Sequence, residues 1–352
     1  MAEAGNGSGI GIEIRNLYKI FGADPAAYVE KVRQGMSKAE LNQRHAHVLG
    51  LKNIDITMPA GSIQVIMGLS GSGKSTLIRH INRLIDPTAG EVLVGGQDVV
   101  KMDARELREF RRHKTAMVFQ KFALLPHRDV LGNVVYGLEV RGVPKARQVD
   151  AAMRWIERVG LAGFEKRYPN QLSGGMQQRV GLARALANDA PILLMDEAFS
   201  ALDPLIRVDM QTVLLDLQRE IRKTIVFITH DLDEALRLGD RIAILRDGEV
   251  IQQGTSQDIV LRPADGYIAS FVEEVNRGRV IQVETVMQPA ANGVRPTLEV
   301  AAGATLDEAA RVMAQAGGTD LAVVDPCGRH LGNLDMPRLV AAMVTPAAEG
   351  GR

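Results

Sequence analysis

Short runs of aliphatic and β-branched residues, each ending at a polar residue or a glycine-rich loop, recur along this chain. Four of them predict buried strands, at residues 63–67, 115–119, 191–195 and 224–229. The residues that follow these strands are Gly68, Gln120, the pair Asp196 and Glu197, and His230. Apolar residues at one-face helical spacing lie between the strands, as in residues 205–223. This alternation predicts an α/β fold with a mostly parallel sheet covered on both faces.

The four strand ends predict one shared site. The carboxyl ends of parallel strands meet at one edge of the sheet, and ligands of such sheets bind outside that edge. A glutamine or histidine after a single strand is more often an ordinary loop residue. Four strands that end in this way at the same edge favour a common site.

Residues 68–76, Gly-Leu-Ser-Gly-Ser-Gly-Lys-Ser-Thr, match the phosphate-binding loop pattern, between the first strand and a helix predicted at residues 76–84. In that setting backbone N–H groups and the positive end of the helix surround phosphate oxygens. We expect Lys74 to reach the outer phosphates and Ser75 to bind a magnesium ion. The sequence therefore predicts a site for a nucleoside triphosphate and Mg²⁺, with these loop residues as contacts: Gly68, Ser70, Gly71, Ser72, Gly73, Lys74, Ser75 and Thr76.

The carboxylates after the third strand suit hydrolytic chemistry. Asp196 ends a buried strand and is expected to hold the magnesium ion, while Glu197 beside it orients and polarises the attacking water. His230 is expected to contact the terminal phosphate and the same water. Gln120 approaches this centre from another loop and is a further candidate magnesium ligand. The candidate catalytic residues are therefore Glu197, His230 and Gln120.

Composition limits the classes of partner. The chain has 352 residues, 46% of them hydrophobic, which predicts one large domain and a smaller one. Basic and acidic residues are equal at 42 each, so we expect no nucleic acid partner, and the basic run at residues 108–114 is interpreted as a solvated helix face. The single cysteine, Cys327, excludes an internal disulfide and fits a reducing compartment. Because no apolar stretch reaches about 18 residues and the N-terminus is not signal-like, the chain is expected to be soluble by itself.

Residues 171–179, Gln-Leu-Ser-Gly-Gly-Met-Gln-Gln-Arg, complete an ordered series of motifs. The series runs from the phosphate loop through Gln120, this Ser-Gly-Gly turn, Asp196-Glu197 and the Ser-Ala-Leu-Asp of residues 200–203 to His230. It resembles the series of ATP-binding cassette (ABC) ATPases. The resemblance implies ATP hydrolysis by a P-loop fold with a RecA-like parallel-sheet core, an antiparallel β subdomain and a helical subdomain that carries the Ser-Gly-Gly turn.

The same resemblance implies a composite site in a head-to-tail dimer of two copies that sandwiches two ATP molecules. The residues of one copy that close on the ATP of the other are Ser173, Gly174 and Gly175. Asp203 is expected at the seam between the copies. An aromatic residue near the first strand holds the adenine, and Phe21 occupies that place, with Tyr18 as the weaker candidate. A core role is the alternative for Phe21.

About the first 275 residues closely resemble the ATPase subunits of glycine betaine/proline importers. The resemblance is carried by the stretch at residues 117–127, Met-Val-Phe-Gln-Lys-Phe-Ala-Leu-Leu-Pro-His, and by an insert at residues 23–50 with a helix-capping pattern at residues 37–40. It implies import of osmoprotectants, a membrane permease that docks on residues 122–133, an indirect substrate-binding protein, and a peripheral location at the cytoplasmic face of the inner membrane. The candidate permease contacts are Phe122, Leu124, Leu125 and His127.

Alternatives stay open at this point. The insert is alternatively a neutral surface elaboration, and the imported solute is alternatively another small molecule. Two rival classes are a cassette ATPase that acts on DNA or ribosomes and a protein that only senses ATP. The first usually carries two cassettes or a long coiled coil, which this sequence lacks, and the second is disfavoured by the intact Glu197 and His230.

The composition after residue 275 changes to alanine-rich segments. We therefore expect an ATPase domain at residues 1–275, a linker at 276–284, a module at 285–346 and a flexible tail at 347–352. A capping box at Thr305 predicts a helix, and strands at residues 320–324 and 330–334 and a helix at 337–343 follow.

This order of elements resembles one cystathionine-β-synthase-type (CBS) module, a small α+β fold that usually occurs in tandem. Asp335 and Arg338 depart from the pattern of the copies that bind adenosine nucleotides, so we expect no nucleotide there. Regulation of transport by ionic strength or a small ligand and a purely structural dimerisation role are the two interpretations of the module.

Overall fold

The structure is a computed structural model that describes residues 9–120, 122–200, 202–290 and 295–344. By its internal contacts the chain divides into two compact units, with the division between Gln253 and Gly254. The predicted flexible tail at 347–352 lies outside the described residues, as do Lys121 and Ala201 of two motifs named above. The domain limits expected from the sequence stay predictions.

The strands up to the division are β1 (Ile12–Phe21), β2 (Val48–Met58), β3 (Ile63–Met67), β4 (Ala89–Val94), β5 (Gln97–Asp98), β6 (Thr115–Val118), β7 (Ile192–Asp196), β8 (Thr224–Thr229), β9 (Arg241–Arg246) and β10 (Glu249–Gly254). The α-helices are α1 (Ala26–Arg33), α2 (Lys38–His45), α3 (Lys74–Ile81), α4 (Ala104–His113), α5 (Val130–Arg141), α6 (Lys145–Arg158), α7 (Gly174–Ala187), α8 (Pro204–Ile221) and α9 (Leu232–Leu238). Short 3₁₀ helices lie at Val99–Lys101 and Pro169–Gln171.

One sheet of the first unit has the strand order β10-β9-β3-β8-β7-β6 and is parallel from β9 to β6. Every residue of β3, β7 and β8 is buried, as expected for parallel strands covered on both faces. The predicted parallel sheet is therefore confirmed, and β3, β6, β7 and β8 end at the same edge.

A second sheet, with the order β2-β1-β4-β5, is antiparallel. Helix α3 contributes Leu77, Ile78 and Ile81 to one continuous core with both sheets, and none of the three has exposed surface. Burying each such side chain contributes about 1.5–3 kcal/mol. The helix that follows the phosphate loop is thus held rigidly between the two sheets.

Helices α5, α6 and α7 pack on one another as a helical subdomain. Val134, Trp155 and Leu182 are buried residues of these helices, one from each. The three parts implied by the resemblance, a parallel core, an antiparallel sheet and a helical subdomain, are all present.

The predicted boundaries of two helices were wrong by a few residues. Helix α3 begins at Lys74 rather than residue 76, because Gly73, with φ +103°, is its N-cap. It ends at Ile81 rather than residue 84. Helix α8 begins at Pro204, one residue before the predicted start, because the Asp203 side chain accepts a hydrogen bond from the Ile206 N–H at 3.1 Å.

The insert at residues 23–50 folds as helices α1 and α2 against β1 and β2. Ser37 caps α2 by accepting a hydrogen bond from the Glu40 N–H at 3.1 Å, which confirms the capping pattern. A separate hydrophobic cluster joins the insert to the antiparallel sheet, and its buried members are Tyr18, Ile20, Val29, Val32, Leu41 and Leu49.

The second unit contains α10 (Ser256–Leu261), α11 (Gly266–Val272), α12 (Arg277–Val280), α13 (Val283–Val286), β11 (Gln288–Pro289), β12 (Glu299–Ala301), α14 (Leu306–Ala316), β13 (Asp320–Val324), β14 (His330–Asp335) and α15 (Met336–Met343). Its sheet has the order β11-β14-β13-β12. The capping box at Thr305 and the elements expected after it are confirmed. The assignment to a CBS-type module stays a prediction.

Within the residues that the structure describes, none of the helices combines the length and apolar character needed to span a membrane.

Candidate active site

A cavity of about 410 Å³ lies in the first unit, beside the loop that joins β3 to α3. Most of the described residues that line it are ones that the sequence singles out. The predicted site residues among them are Phe21, Ser70, Gly71, Gly73, Lys74, Ser75, Thr76, Gln120 and Glu197.

The loop before α3 depends on glycine at Gly73. Its φ is +103°, and a Cβ there would lie 2.8 Å from the Gly50 carbonyl oxygen and 2.8 Å from a Leu51 methyl carbon. A side chain at this position would therefore push the loop away from β2, and only glycine also tolerates this φ without strain. The loop backbone approaches β2 closely for this reason.

Two loop side chains carry buried polar groups. Lys74 is 4% exposed, and its Nζ donates hydrogen bonds to the carbonyls of Gly68 at 2.7 Å and Leu69 at 3.0 Å. The Ser72 hydroxyl is buried without a hydrogen-bond partner among the described residues. Ser72 is not among the described residues that line the cavity, so its expected contact with phosphate stays a prediction.

The candidate catalytic residues lie around the Glu197 carboxylate. The Gln120 side-chain amide donates to Glu197 Oε2 at 2.9 Å. Lys74 Nζ lies 3.7 Å from Glu197 Oε1, and His230 Nδ1 lies 3.9 Å from the same oxygen. Burial lowers the pKa of Lys74, and the neighbouring Glu197 carboxylate opposes that shift. Residues from three separate segments thus surround the Glu197 carboxylate.

Asp196 and Ser75 form a pair of oxygen donors beside this centre. The Ser75 hydroxyl donates to Asp196 Oδ1 at 2.8 Å, and Arg79 Nη2 lies 3.3 Å from Asp196 Oδ2. Carboxylate and hydroxyl oxygens are the ligands that Mg²⁺ prefers, so this pair fits the predicted ion. Arg79 is a site residue that the sequence reasoning missed.

The aromatic residues near β1 divide between surface and core. Phe21 is 41% exposed and lines the cavity, with Lys19 Nζ 5.0 Å from its ring centroid. Tyr18 is 5% exposed and belongs to the cluster that holds the insert. Of the two adenine candidates, Phe21 alone lines the cavity.

The Ser-Gly-Gly turn is not among the described residues that line this cavity. Ser173 caps α7 by accepting from the Met176 N–H at 3.3 Å, and Gly174 and Gly175 form its first turn. Asp203 caps α8, likewise away from the cavity lining. One chain therefore brings together the phosphate-loop half of the predicted site and carries the other half on its helical subdomain.

Lys38, in the insert, lines the cavity and was also missed from the sequence. No local pattern could have found it, because its position depends on how α2 packs against the antiparallel sheet. The start of β2 also lines the cavity, through Val48, Leu49 and Gly50, and this too depends on tertiary packing.

The parallel sheet, the glycine-dependent loop at the end of β3 and the Ser75–Asp196 pair define a P-loop protein, a class that binds nucleoside triphosphates. Residues 51–200 match the family described as ABC transporter. The chain is 52% identical over 281 residues to the glycine betaine transport ATP-binding protein OpuAA of Bacillus subtilis (strain 168), across 80% of this chain and 67% of that protein. The chain therefore belongs to the ABC transporter family, as an ATPase of that family.

Two further comparisons extend this result. The trimethylamine N-oxide transport system ATP-binding protein TmoW of Ruegeria pomeroyi is 46% identical over 324 residues, 92% of this chain and 94% of that protein. The solved dimeric structure of MJ0796, a bacterial ABC transporter cassette, superposes with a TM-score of 0.60 at 34% identity and covers 70% of this chain and 98% of that chain. The cassette fold expected from the motifs is confirmed.

Proposed function

We propose that this chain is the ATP-hydrolysing subunit that energises import of glycine betaine, proline or a related quaternary amine through a membrane permease. The observation that carries the proposal is a complete set of candidate hydrolytic groups around Glu197 in a chain about half identical to OpuAA. A second relative at this level is the glycine betaine/proline betaine transport protein ProV of Escherichia coli (strain K12), 50% identical over 285 residues.

The chemistry assigns a role to each group. Ser75 and Asp196 would hold the magnesium ion, which would supply neutralisation of phosphate charge when ATP is bound. Lys74 exchanges its carbonyl partners for phosphate oxygens, and backbone N–H groups of the loop cradle the same oxygens. Glu197 accepts a proton from the attacking water, Gln120 keeps the carboxylate oriented by its 2.9 Å hydrogen bond, and His230 contacts the terminal phosphate.

A second copy of the chain completes the site in this proposal. Ser173, Gly174 and Gly175 begin a helix whose positive end suits a phosphate, yet they lie away from the cavity of their own chain. The related MJ0796 cassette was solved as a dimer, and another structure of it contains ADP and Pi. Asp203 lies at the seam between the copies.

The permease docks on a cleft of about 410 Å³ beside residues 122–133. The cleft is lined by Leu125 and by three apolar side chains that are 40–50% exposed: Leu84, Tyr136 and Val140. Arg184 of α7 donates to the carbonyls of Phe122 and Ala123, so the loop is attached to the helical subdomain. Movement of that subdomain on ATP binding is thereby passed to the permease at the cytoplasmic face of the membrane.

We also propose that residues 285–346 form a single CBS-type module that pairs with the module of the second copy. The order β12-α14-β13-β14-α15 supports this assignment. Regulation of transport and structural bracing of the dimer are its two candidate roles.

Trimethylamine N-oxide is a second candidate solute. TmoW of Ruegeria pomeroyi matches 92% of this chain, whereas OpuAA matches 80%. The shared length therefore extends further along the chain in the relative named for trimethylamine N-oxide.

Solute uptake in cells tests the proposal. In a strain that lacks this chain, we expect uptake of radiolabelled glycine betaine to be lost, and to return with the wild-type chain but not with Glu197→Gln. The same assay with trimethylamine N-oxide separates the two candidate solutes. Unchanged uptake of both solutes in the deletion strain would refute the proposed import function.

A further inference from the structure

The insert forms part of the wall of the nucleotide cavity. Lys38, the first residue of α2, lines the cavity together with Ser70, Gly71 and Lys74 of the phosphate loop. This places a second lysine in the wall of the cavity, from a segment outside the phosphate loop.

The position of α2 is fixed by packing. Leu41, one turn after Lys38, has no exposed surface and belongs to the cluster that joins the insert to β1 and β2. Ser37 caps the helix directly before Lys38. The backbone at Lys38 is therefore held in place. The four-carbon lysine side chain is flexible, so its ammonium can move from one anionic partner to another.

The present partner of Lys38 is a carboxylate that does not line the cavity among the described residues. Lys38 Nζ lies 3.4 Å from Asp247 Oδ1. Asp247 sits in the turn between β9 and β10, and the next residue, Gly248, donates its N–H to the Ser72 carbonyl at 3.1 Å. This turn is therefore attached to the phosphate loop, so Lys38 lies next to that loop.

This ion pair is weak by its geometry and exposure. Its 3.4 Å separation exceeds the roughly 2.7–2.9 Å of a strong charge-assisted hydrogen bond. The side chains of Lys38 and Asp247 are 40% and 75% exposed, so water screens their attraction. A phosphate chain carries several negative charges and is a stronger partner for an ammonium than this carboxylate.

We propose that Lys38 binds the phosphates of the nucleotide in this cavity and releases Asp247 when it does so. The insert is then a working part of the nucleotide site rather than a surface elaboration. The inference rests on the proposed function, because it takes ATP to be the ligand of the cavity.

Nucleotide affinity of the full-length chain, measured by calorimetry with Mg-ATP and with adenosine at low and high salt, tests this inference. Lys38→Ala should weaken ATP binding about three- to tenfold at low salt, less at high salt, and leave adenosine binding unchanged. Arg44→Ala is the matched control, since Arg44 is a basic residue of the same helix that pairs with Glu40 and does not line the described cavity. It should bind ATP as the wild type does.

The variant Asp247→Asn distinguishes phosphate binding by Lys38 from a purely structural role of the Lys38–Asp247 ion pair. If Lys38 binds phosphate, removal of its competing carboxylate should leave ATP affinity unchanged or raise it. Equal weakening by Lys38→Ala and Asp247→Asn would overturn the inference in favour of a structural brace, as would wild-type ATP affinity of Lys38→Ala. Equal loss of adenosine affinity would overturn the phosphate assignment. Failure of the wild-type chain to bind ATP at all would instead contradict the proposed function.

Discussion

Glu197 adopts a left-handed backbone conformation, with φ +45°, directly after the buried strand β7. For a residue other than glycine such a conformation costs of the order of 1–3 kcal/mol and persists only where surrounding structure holds it. The hydrogen bond from Gln120 and the proximity of Lys74 place the carboxylate at the centre of the site. This geometry fits a group that receives a proton from water.

Replacing Glu197 by glutamine should separate binding from hydrolysis. Glutamine keeps the size of the side chain but cannot accept the proton, so the rate of phosphate release should fall at least a hundredfold while ATP affinity stays within a few-fold of the wild type. Phosphate release and nucleotide titration are the measurements. Glu30→Gln, a change at an exposed glutamate of α1, is the control and should hydrolyse ATP normally. Full turnover by Glu197→Gln would remove Glu197 from the role of base.

His80 makes the stability of the cassette depend on pH. It is 1% exposed, its Nδ1 donates to the Thr76 carbonyl at 2.6 Å, and its Nε2 has no partner among the described residues. Burial lowers the pKa of His80 to about 4 from a usual 6.5. Between pH 6.5 and pH 4, His80 is protonated in the unfolded chain but stays neutral in the folded chain. The free energy of unfolding is therefore at its full value above pH 6.5 and decreases as the pH falls towards 4.

Urea unfolding at pH 7.5 and pH 4.5 checks this dependence. Between pH 7.5 and pH 4.5, protonation of His80 should lower the free energy of unfolding by about 2–3 kcal/mol, since each unit of pKa difference corresponds to about 1.36 kcal/mol. His80→Gln cannot take up the proton, so its unfolding free energy should fall by that much less than that of the wild type. An equal fall in both proteins would show that His80 does not carry the effect.

At the scale of elements, we expect ATP binding to depend on the backbone conformation of the loop between β3 and α3. Gly73→Ala should weaken ATP binding more than tenfold, because the new Cβ would lie 2.8 Å from backbone of β2 and displace the loop. Gly142→Ala is the matched control: Gly142 also has a positive φ, +75°, at the end of α5, but its Cβ would meet no described atom within 4 Å. Calorimetry should show normal ATP affinity for the control, and equal affinities in the two variants would contradict this reading of the loop.

Element boundaries could be predicted where an apolar run sets them, and not where the conformation of a single residue does. The strand at residues 224–229 was predicted to the residue, because every side chain of β8 is buried and the apolar run ends where burial ends. The start of α3 was missed by two residues, because the helix is set by the conformation of Gly73 rather than by apolar periodicity. Helix α1 of the insert gave no capping signal, and its N-cap, Pro25, makes no side-chain hydrogen bond.

The candidate site was predictable where its residues follow strands and not where they depend on tertiary packing. Gln120, Glu197 and His230 each follow a strand of one sheet, so sequence alone brings them to one edge. Lys38 reaches the cavity only because α2 packs on β1 and β2, and no local pattern reports that contact. In the proposed dimer the second half of the site comes from another copy, and the geometry of that half depends on contacts between the copies.

At the scale of the whole molecule, we expect ATP to join two copies of this chain. Glu197→Gln should trap that state, because bound ATP is no longer hydrolysed. Ser173→Arg in the same chain should prevent it, since a bulky side chain at the start of α7 would block the partner's phosphates. Because Ser173 is exposed, the structural cost is limited to loss of the α7 cap, about 0.5–2 kcal/mol.

Sedimentation of Glu197→Gln with and without Mg-ATP is the most direct measurement of this claim. We expect a monomer without nucleotide, a dimer with one ATP per chain when Mg-ATP is added, and a monomer that still binds ATP when Ser173→Arg is also present. A chain that binds ATP at full occupancy yet stays monomeric in both variants would contradict a site completed by a second copy.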